Sequence, residues 1–498
     1  MRRREWLKAL AGGVLAASAR GQGTLPAHPR DLVFPDLAFD PPEPADYRHE
    51  LASGSVAYLV EDHQLPLVSV SLTLRAGAYQ VSPESAGLAS FTGSQMRAGG
   101  TVSRSARDFD EDAAFLATQI GSSIGSTSAG GSVNCLSQNL GESLEMFFDM
   151  LKNPRFDPER LEIARAQTMQ ALPRRNDRLG SILSREVSRI MRGNHFTTVQ
   201  STQASVQSVT RESMQRFHAR NYDPRRMYFS VAGDFDTKDM IRRLNEALAE
   251  GWPASPVDPA DIPAPSHVPV PGVYMVDKTS REVNQSHVAL VHAGIQRGHP
   301  DEFKVRIMNS VLGGGGFTSR IMLRVRSDEG LAYSAYSRYQ PGTYYPGLFQ
   351  AGFQSRNATC AQAAAIVAEE IKRMQNEKVT ARELDTAKNY QVEIFPRFFA
   401  TAGQVAGTFA NDEFTGRETD YWKQYRQRIS DVTAEDVLDA AQEHLHPDKL
   451  IVLAVGDREA MLRGNPDRPE FSFESMAGEA GIRAIPLPDP LTMEYPDA

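Results

Sequence analysis

The chain is written twice, and that constrains its fold more than any other feature. Residues 209–234, VTRESMQRFHARNYDPRRMYFSVAGD, align without a gap with residues 432–457, VTAEDVLDAAQEHLHPDKLIVLAVGD, at an offset of 223. Six of the 26 positions are identical, where ordinary composition gives roughly one or two. The pattern agrees further than the identities: a Thr N-cap, a helix, a Pro turn, then an apolar strand ending in Gly-Asp. Upstream at the same offset, NPRFDPERLEIARA from Asn153 pairs with NEKVTARELDTAKN from Asn376, each a turn followed by a helix with an acidic first turn. At a slightly shorter offset, residues 67–78 match 287–295, both strands leading into an Ala-Gly turn. Each half reads strand, helix, strands, helices, strand. The expected fold class is α+β: two homologous α/β-layered halves with helices on one sheet face.

The repeat divides the chain. The homologous halves span residues 47–250 and 273–460. Between them, residues 251–272 hold seven prolines and form an extended linker. The Pro-rich tail, 461–498, is expected to wrap the surface or be disordered. Residues 1–19 read as a signal peptide, with basic Arg2, Arg3, Arg4 and Lys8, a weakly apolar stretch, and small Ala17-Ser18-Ala19. Arg3-Arg4 before Glu5-Trp6-Leu7-Lys8 resembles a twin-arginine export signal; a general secretion signal with extra arginines is the alternative. Residues 20–46 are a lead segment. The chain is therefore expected to be periplasmic, with no transmembrane segment in its mature form. Formal net charge is -8, which disfavours nucleic acid as a partner. Removing residues 1–19 leaves a mature chain near -11, a balance that points toward basic peptides without locating the field. Two cysteines, Cys135 and Cys360, exclude a disulfide scaffold; they fall one in each half and are either paired or two buried thiols.

Two segments make the reading sharper. Residues 65–101, LPLVSVSLTLRAGAYQVSPESAGLASFTGSQMRAGGT, resemble the signature region of the pitrilysin/insulinase family of zinc metallopeptidases, in its bacterial processing-peptidase-like branch. Residues 311–337, VLGGGGFTSRIMLRVRSDEGLAYSAYS, resemble that family's C-terminal signature. The resemblance implies a duplicated metallopeptidase fold whose halves form a bowl. It also exposes a loss. Family enzymes carry His-x-x-Glu-His on the helix after Gly-Leu-Ala, two imidazoles on one helix face for zinc and a Glu to activate its water. Here those places hold Ser90, Gly93 and Ser94, and the further Glu ligand falls near Gln170 or Ala171. No pair among the eleven histidines stands at i, i+4. His444 and His446, two apart beside Pro447, read as solvated turn histidines. Ser90 has no His or Lys signature beside it that would make it a nucleophile. No metal and no cofactor are expected in this chain.

The second half keeps a different part. Arg326 and Tyr333, in RSDEGLAY, match the family's C-terminal Arg and Tyr. The resemblance gives these the role of reaching the facing zinc site, Tyr donating to the substrate carbonyl as it becomes an oxyanion and Arg holding substrate backbone oxygens. Gly313, Gly314, Gly315 and Gly316 lack the Gly-Lys-Ser/Thr of a phosphate loop. The resemblance makes them a substrate-chamber loop, shorter than in non-catalytic processing-peptidase subunits; a tight helix-to-loop turn is the plainer use.

The pattern implies a catalytically incomplete subunit of a heterodimeric zinc peptidase. A homologous subunit carrying His-x-x-Glu-His would hold the zinc, and this chain would supply Arg326 and Tyr333 in trans. An unfolded peptide would bind by strand addition. A non-enzymatic peptide-binding or scaffold subunit of a larger complex is the alternative.

Overall fold

The computed structural model describes residues 39–252, 259–279 and 284–496. The signal peptide, with its arginines, and most of the lead segment lie outside them. Twelve strands form among the described residues. In the first half these are β1 (Arg48–Glu50), β2 (Val56–Glu61), β3 (Leu67–Leu74), β4 (Gln119–Ile124), β5 (Ala129–Leu136) and β6 (Tyr228–Gly233). In the second half they are β7 (Gly272–Asp277), β8 (Gln285–Ala293), β9 (Ala332–Gln340), β10 (Leu348–Arg356), β11 (Ile451–Gly456) and β12 (Ile482–Ile485). They make two six-stranded sheets, ordered β1-β2-β6-β3-β5-β4 and β12-β7-β11-β8-β10-β9. The repeat is visible in the pairing. β2 runs parallel to β6 and β7 parallel to β11, while β3 and β8 each run antiparallel to those same central strands.

The helices used below are α1 (Leu88–Ala98), α2 (Leu140–Lys152), α3 (Pro158–Ala171), α4 (Leu179–Arg192), α5 (Arg211–Asn221), α6 (Glu302–Asn309), α7 (Cys360–Asn376), α8 (Ala381–Glu393), α9 (Ala402–Thr415) and α10 (Ala434–His444). α4 and α9 start 223 residues apart, like the sequence repeat, and the halves exchange them. Ile182, Val187, Ile190 and Met191 of α4 are buried against Ala289, Val291, Ile451, Leu453 and Val455 of the second sheet. α9 lies on the first sheet, where Phe409 meets Tyr58 at 5.9 Å and Phe414 meets Tyr228 at 5.5 Å. Glu413 of α9 accepts two bonds from Arg48, 2.8 Å each, and one from the Tyr58 hydroxyl at 2.7 Å. The expectation of helices on one face only is therefore corrected. Each sheet has its own half's helices on one face and the other half's helix on part of the opposite face. That is why β11, IVLAVG, is buried at every position, as a strand covered on both faces must be.

The tail packs against the rest of the chain. β12 adds to β7 in parallel, Asn176 donates to the Pro488 carbonyl at 2.9 Å, and Tyr495 reaches back to α4. There its hydroxyl donates to Glu186 at 2.7 Å. Cys135 and Cys360 are both buried and unpaired; burial pushes the Cys360 thiol up to about 12.

Two buried histidines tie the core to pH. Burial lowers His218 and His292 to about 4 each. His218 holds the Leu151 carbonyl at 2.7 Å. Both are neutral in the native state, so the unfolded chain binds more protons below its ordinary histidine value. Their stabilisation is complete above pH ~6.5 and is lost as pH falls from there toward 4, by at most about 1.4 kcal/mol per pH unit for each. The urea midpoint is expected to fall between pH 7 and pH 5; an unchanged midpoint would contradict the assignment.

Candidate functional site

α1 follows the turn at Gly87 and carries the three positions where zinc chemistry would sit. Ser90 and Ser94, one helical turn apart, are exposed; Gly93 is buried. Gly93 faces β4 at a separation that admits no side chain. A Cβ there would stand 2.4 Å from the Ile124 nitrogen and 2.8 Å from the Ser123 carbonyl carbon. The Ser122 hydroxyl donates to the Gly93 carbonyl at 2.6 Å, holding the strand against the helix. Beside Ser90 lies a cavity of about 260 Å³ floored by Ala86, Gly87 and Ala89 and walled by Ile124, Phe196 and Val199. No His, Cys, Asp or Glu lines it. Gln170 and Ala171 end α3 and are exposed. These residues do not fit zinc. The ligands are missing, and β4 also occupies the space a general base at residue 93 would need.

Gly93→Ala tests that closeness. Helix propensity alone favours Ala by about 0.8–1.0 kcal/mol. Overpacking against backbone costs about 1–3 kcal/mol or more, and here the nearest atoms are backbone. The variant is expected to unfold at lower urea than the parent. A more stable variant would show that β4 yields easily.

The second half presents Arg326 and Tyr333 together. Arg326 lies in the π-helical turn Leu323–Asp328, and Tyr333 is the second residue of β9, the sheet's edge strand. The Arg326 guanidinium stacks on two rings, 4.7 Å from the centroid of Tyr333 and 4.7 Å from that of Phe317. Tyr333 is 85% exposed and Phe317 67%. Among the described residues no carboxylate pairs with Arg326. Its neighbour Arg320 is different: buried, and bound through two nitrogens to Glu383 of α8 at 2.6 and 3.0 Å. Stacking on two rings holds a planar guanidinium while leaving its donors free. Phe317 has no counterpart among the residues singled out from sequence. Its only signal there is an aromatic placed just after the glycine run.

The glycines divide by use. Gly313 is buried, and a Cβ on it would stand 2.3 Å from the Ser337 nitrogen of β9. Gly316 has φ of +63°, a backbone that favours glycine. Gly314 and Gly316 are exposed and lead directly to Phe317. The loop therefore packs at its start and presents a ring at its end.

His444 and His446 are not solvated turn histidines. His444 is buried and bonds Asp301 at 3.0 Å, tying α10 to the start of α6. That bond is the chief reason the Asp301 carboxyl is lowered. His446 is half-buried, with its ring 5.1 Å from that of His292. His299, Asp301 and His444 bring donor atoms within 4.8 Å of one another. Those donors are already committed: Lys304 pairs with Asp301 at 3.2 Å, and the Asp301 N–H donates to His299 Nδ1 at 3.2 Å. The group serves as a tie between helices.

Comparison with known proteins agrees with this geometry. The profile described as insulinase, peptidase family M16, matches residues 56–199, and that described as the peptidase M16 inactive domain matches residues 208–390. The chain belongs to peptidase family M16. Among its relatives is an uncharacterized zinc protease of Streptomyces coelicolor, 24% identical over 330 residues, covering 65% of this chain and 72% of that protein. The non-peptidase homolog YmxG of Helicobacter pylori is 23% identical over 407 residues, covering 80% and 91%. Among solved structures, the peptidase M16 inactive domain from Pseudomonas fluorescens superposes with a TM-score of 0.73 at 24% identity, covering 82% of this chain and 97% of that one. The periplasmic protease PqqL from Escherichia coli gives 0.67 at 14%, covering 89% and 50%. This M16 chain has the family's two-half fold, with Ser90, Gly93 and Ser94 at the positions described above.

Proposed function

We propose that this chain is the non-catalytic subunit of a heterodimeric M16 peptidase. The observation that carries the reading is Arg326, stacked on Phe317 and Tyr333 and without a carboxylate partner among the described residues, on a chain with Ser90, Gly93 and Ser94 where family enzymes bind zinc. An exposed Tyr hydroxyl is a donor for a carbonyl oxygen as negative charge develops on it, and a fixed cation beside it suits the backbone oxygens of the same peptide. In this reading a homologous subunit carrying His-x-x-Glu-His binds the zinc. Tyr333 then donates to the substrate carbonyl and Arg326 holds neighbouring backbone oxygens. The unfolded peptide pairs with a sheet edge, for which β4 and β9 are the long edge strands, β1 and β12 at the opposite edges being only three and four residues. The basic, small-x-small N-terminus supports export to the periplasm, by the twin-arginine route if Arg3-Arg4 is read. No helix among the described residues is long and apolar enough to cross a membrane.

The purified chain with added zinc is expected to hydrolyse no peptide, and to gain activity when mixed with a family member that retains His-x-x-Glu-His. Zinc-dependent hydrolysis by the chain alone would overturn the reading. The name non-peptidase homolog, borne by the Helicobacter relative, favours a second reading, a non-enzymatic peptide-binding or scaffold subunit. A pull-down from periplasm that recovers a membrane complex instead of a zinc-ligand-bearing homologue would select it.

A further inference from the structure

A cavity of about 450 Å³ opens between the two halves. Ser126 and Thr127, from the turn joining β4 to β5, form one side. Arg192, at the end of α4, forms another. Arg338 of β9 and the β9–β10 connection, with Thr343 and Tyr344, complete it. The halves build it jointly, because exchange of α4 carries Arg192 onto the second sheet. No Asp or Glu is among the lining residues. Among the described residues neither arginine has a carboxylate partner. Arg192 reaches only the Ser188 hydroxyl, at 3.5 Å, and the Tyr345 ring, 5.9 Å from its centroid. Arg338 lies 5.0 Å from the centroid of Tyr336.

The walls are fixed from behind. Arg75 donates to the Tyr344 hydroxyl and stacks 4.2 Å from the Phe414 ring of α9. His195 bonds the Thr197 hydroxyl, another wall group, at 2.7 Å. The strands beside the cavity add no negative charge. Register puts Ser71, Ser132, Gly121 and Ser123 on the same face of the first sheet as one another. On the second sheet Gln350 stands opposite Arg338. The net charge of the whole chain therefore misleads about this place: its acids lie elsewhere, and at physiological salt their field decays over about 8 Å.

We propose that this cavity is an anion subsite that anchors a carboxylate of a bound peptide between Arg192 and Arg338. Each guanidinium offers five donors and no acceptor, and the fork matches a carboxylate through two parallel bonds. Partial enclosure strengthens the attraction over that on open surface. That the carboxylate belongs to a peptide rests on the peptide-binding reading above; the preference for an anion does not. The carboxylate comes either from the peptide C-terminus or from an Asp or Glu side chain.

The test uses the purified full mature chain without its partner, so that failure of the heterodimer reading and failure of the subsite are separate results. A short, unstructured fluorescent peptide with acidic residues and a free C-terminus is titrated by anisotropy. Two companions follow, one C-terminally amidated and one with every Asp and Glu changed to Asn and Gln. The parent chain is expected to bind the first peptide in a salt-sensitive manner. Arg192→Gln and Arg338→Gln should each weaken it about tenfold or more, with Arg192→Lys and Arg338→Lys intermediate, and with circular dichroism unchanged. Whichever companion loses the same factor on the parent chain identifies the source of the carboxylate. The proposal is overturned if no peptide saturates the chain, if all three bind alike, or if the Gln variants bind the acidic peptide as the parent does.

Discussion

Replacing Tyr333 with Phe in the heterodimer proposed above is expected to lower kcat by about 10²–10³, the usual loss of one oxyanion donor, while KM stays close to that of the parent. The residue is 85% exposed, so its hydroxyl supports no buried network and the substitution leaves the fold intact. The ring survives too, and with it the stacking that positions Arg326. The change therefore isolates the hydroxyl. Phe317→Ala provides the complementary result: it removes one of the two rings stacked on the guanidinium, and under the proposed role of Arg326 in holding substrate backbone it should raise KM more than it lowers kcat. Initial rates over a range of peptide concentration separate the two. Unchanged turnover for Tyr333→Phe would remove the residue from the chemistry, and a loss confined to KM would make it a binding residue only.

Replacing Glu186 with Ala is expected to cost about 3–5 kcal/mol of stability, the range for breaking a buried ion pair from one side. Glu186 is fully buried on α4. It accepts from Arg185 and Arg189 at 2.8 Å each and from the Tyr495 hydroxyl at 2.7 Å. The Arg185 side chain is only 9% exposed, so removing its partner strands a cation where water cannot replace the carboxylate. Tyr495→Phe loses one bond to a charged acceptor, about 1.5–3 kcal/mol. Both effects should appear in urea midpoints. A midpoint unchanged in Glu186→Ala would mean that α4 is not held in this way.

How much was legible follows from what each signal depends on. α5 and α10, with their Thr caps, and the central strands β6 and β11 were readable because a cap and a short apolar run closed by Gly-Asp are local signals. Ser90, Gly93 and Ser94 were readable as a loss because residues 65–101 resemble the family signature, which implies His-x-x-Glu-His at those places. The closeness of β4 to Gly93 was not, since it is set by how a strand 30 residues later docks. Phe317 was missed because stacking on Arg326 joins a loop, a π-helical turn and a strand start, which no local spacing encodes. His444 looked like a turn residue because it stands at a helix end beside Pro447. Its partner, Asp301, lies in another element and decides its burial.

The sequence by itself determined the doubling, the resemblance to the family, and which residues stand at its signature positions: Ser90, Gly93 and Ser94 in one half, Arg326 and Tyr333 in the other. All of these are written in residue identity and spacing. Only the tertiary structure decided that the halves trade α4 for α9, that the tail closes over Glu186, and that two arginines line one cavity with no acid in its wall. Those outcomes depend on which apolar faces find each other across long chain separations. An amphipathic helix announces that it has a face to bury, and nothing in its own residues says which sheet will receive it.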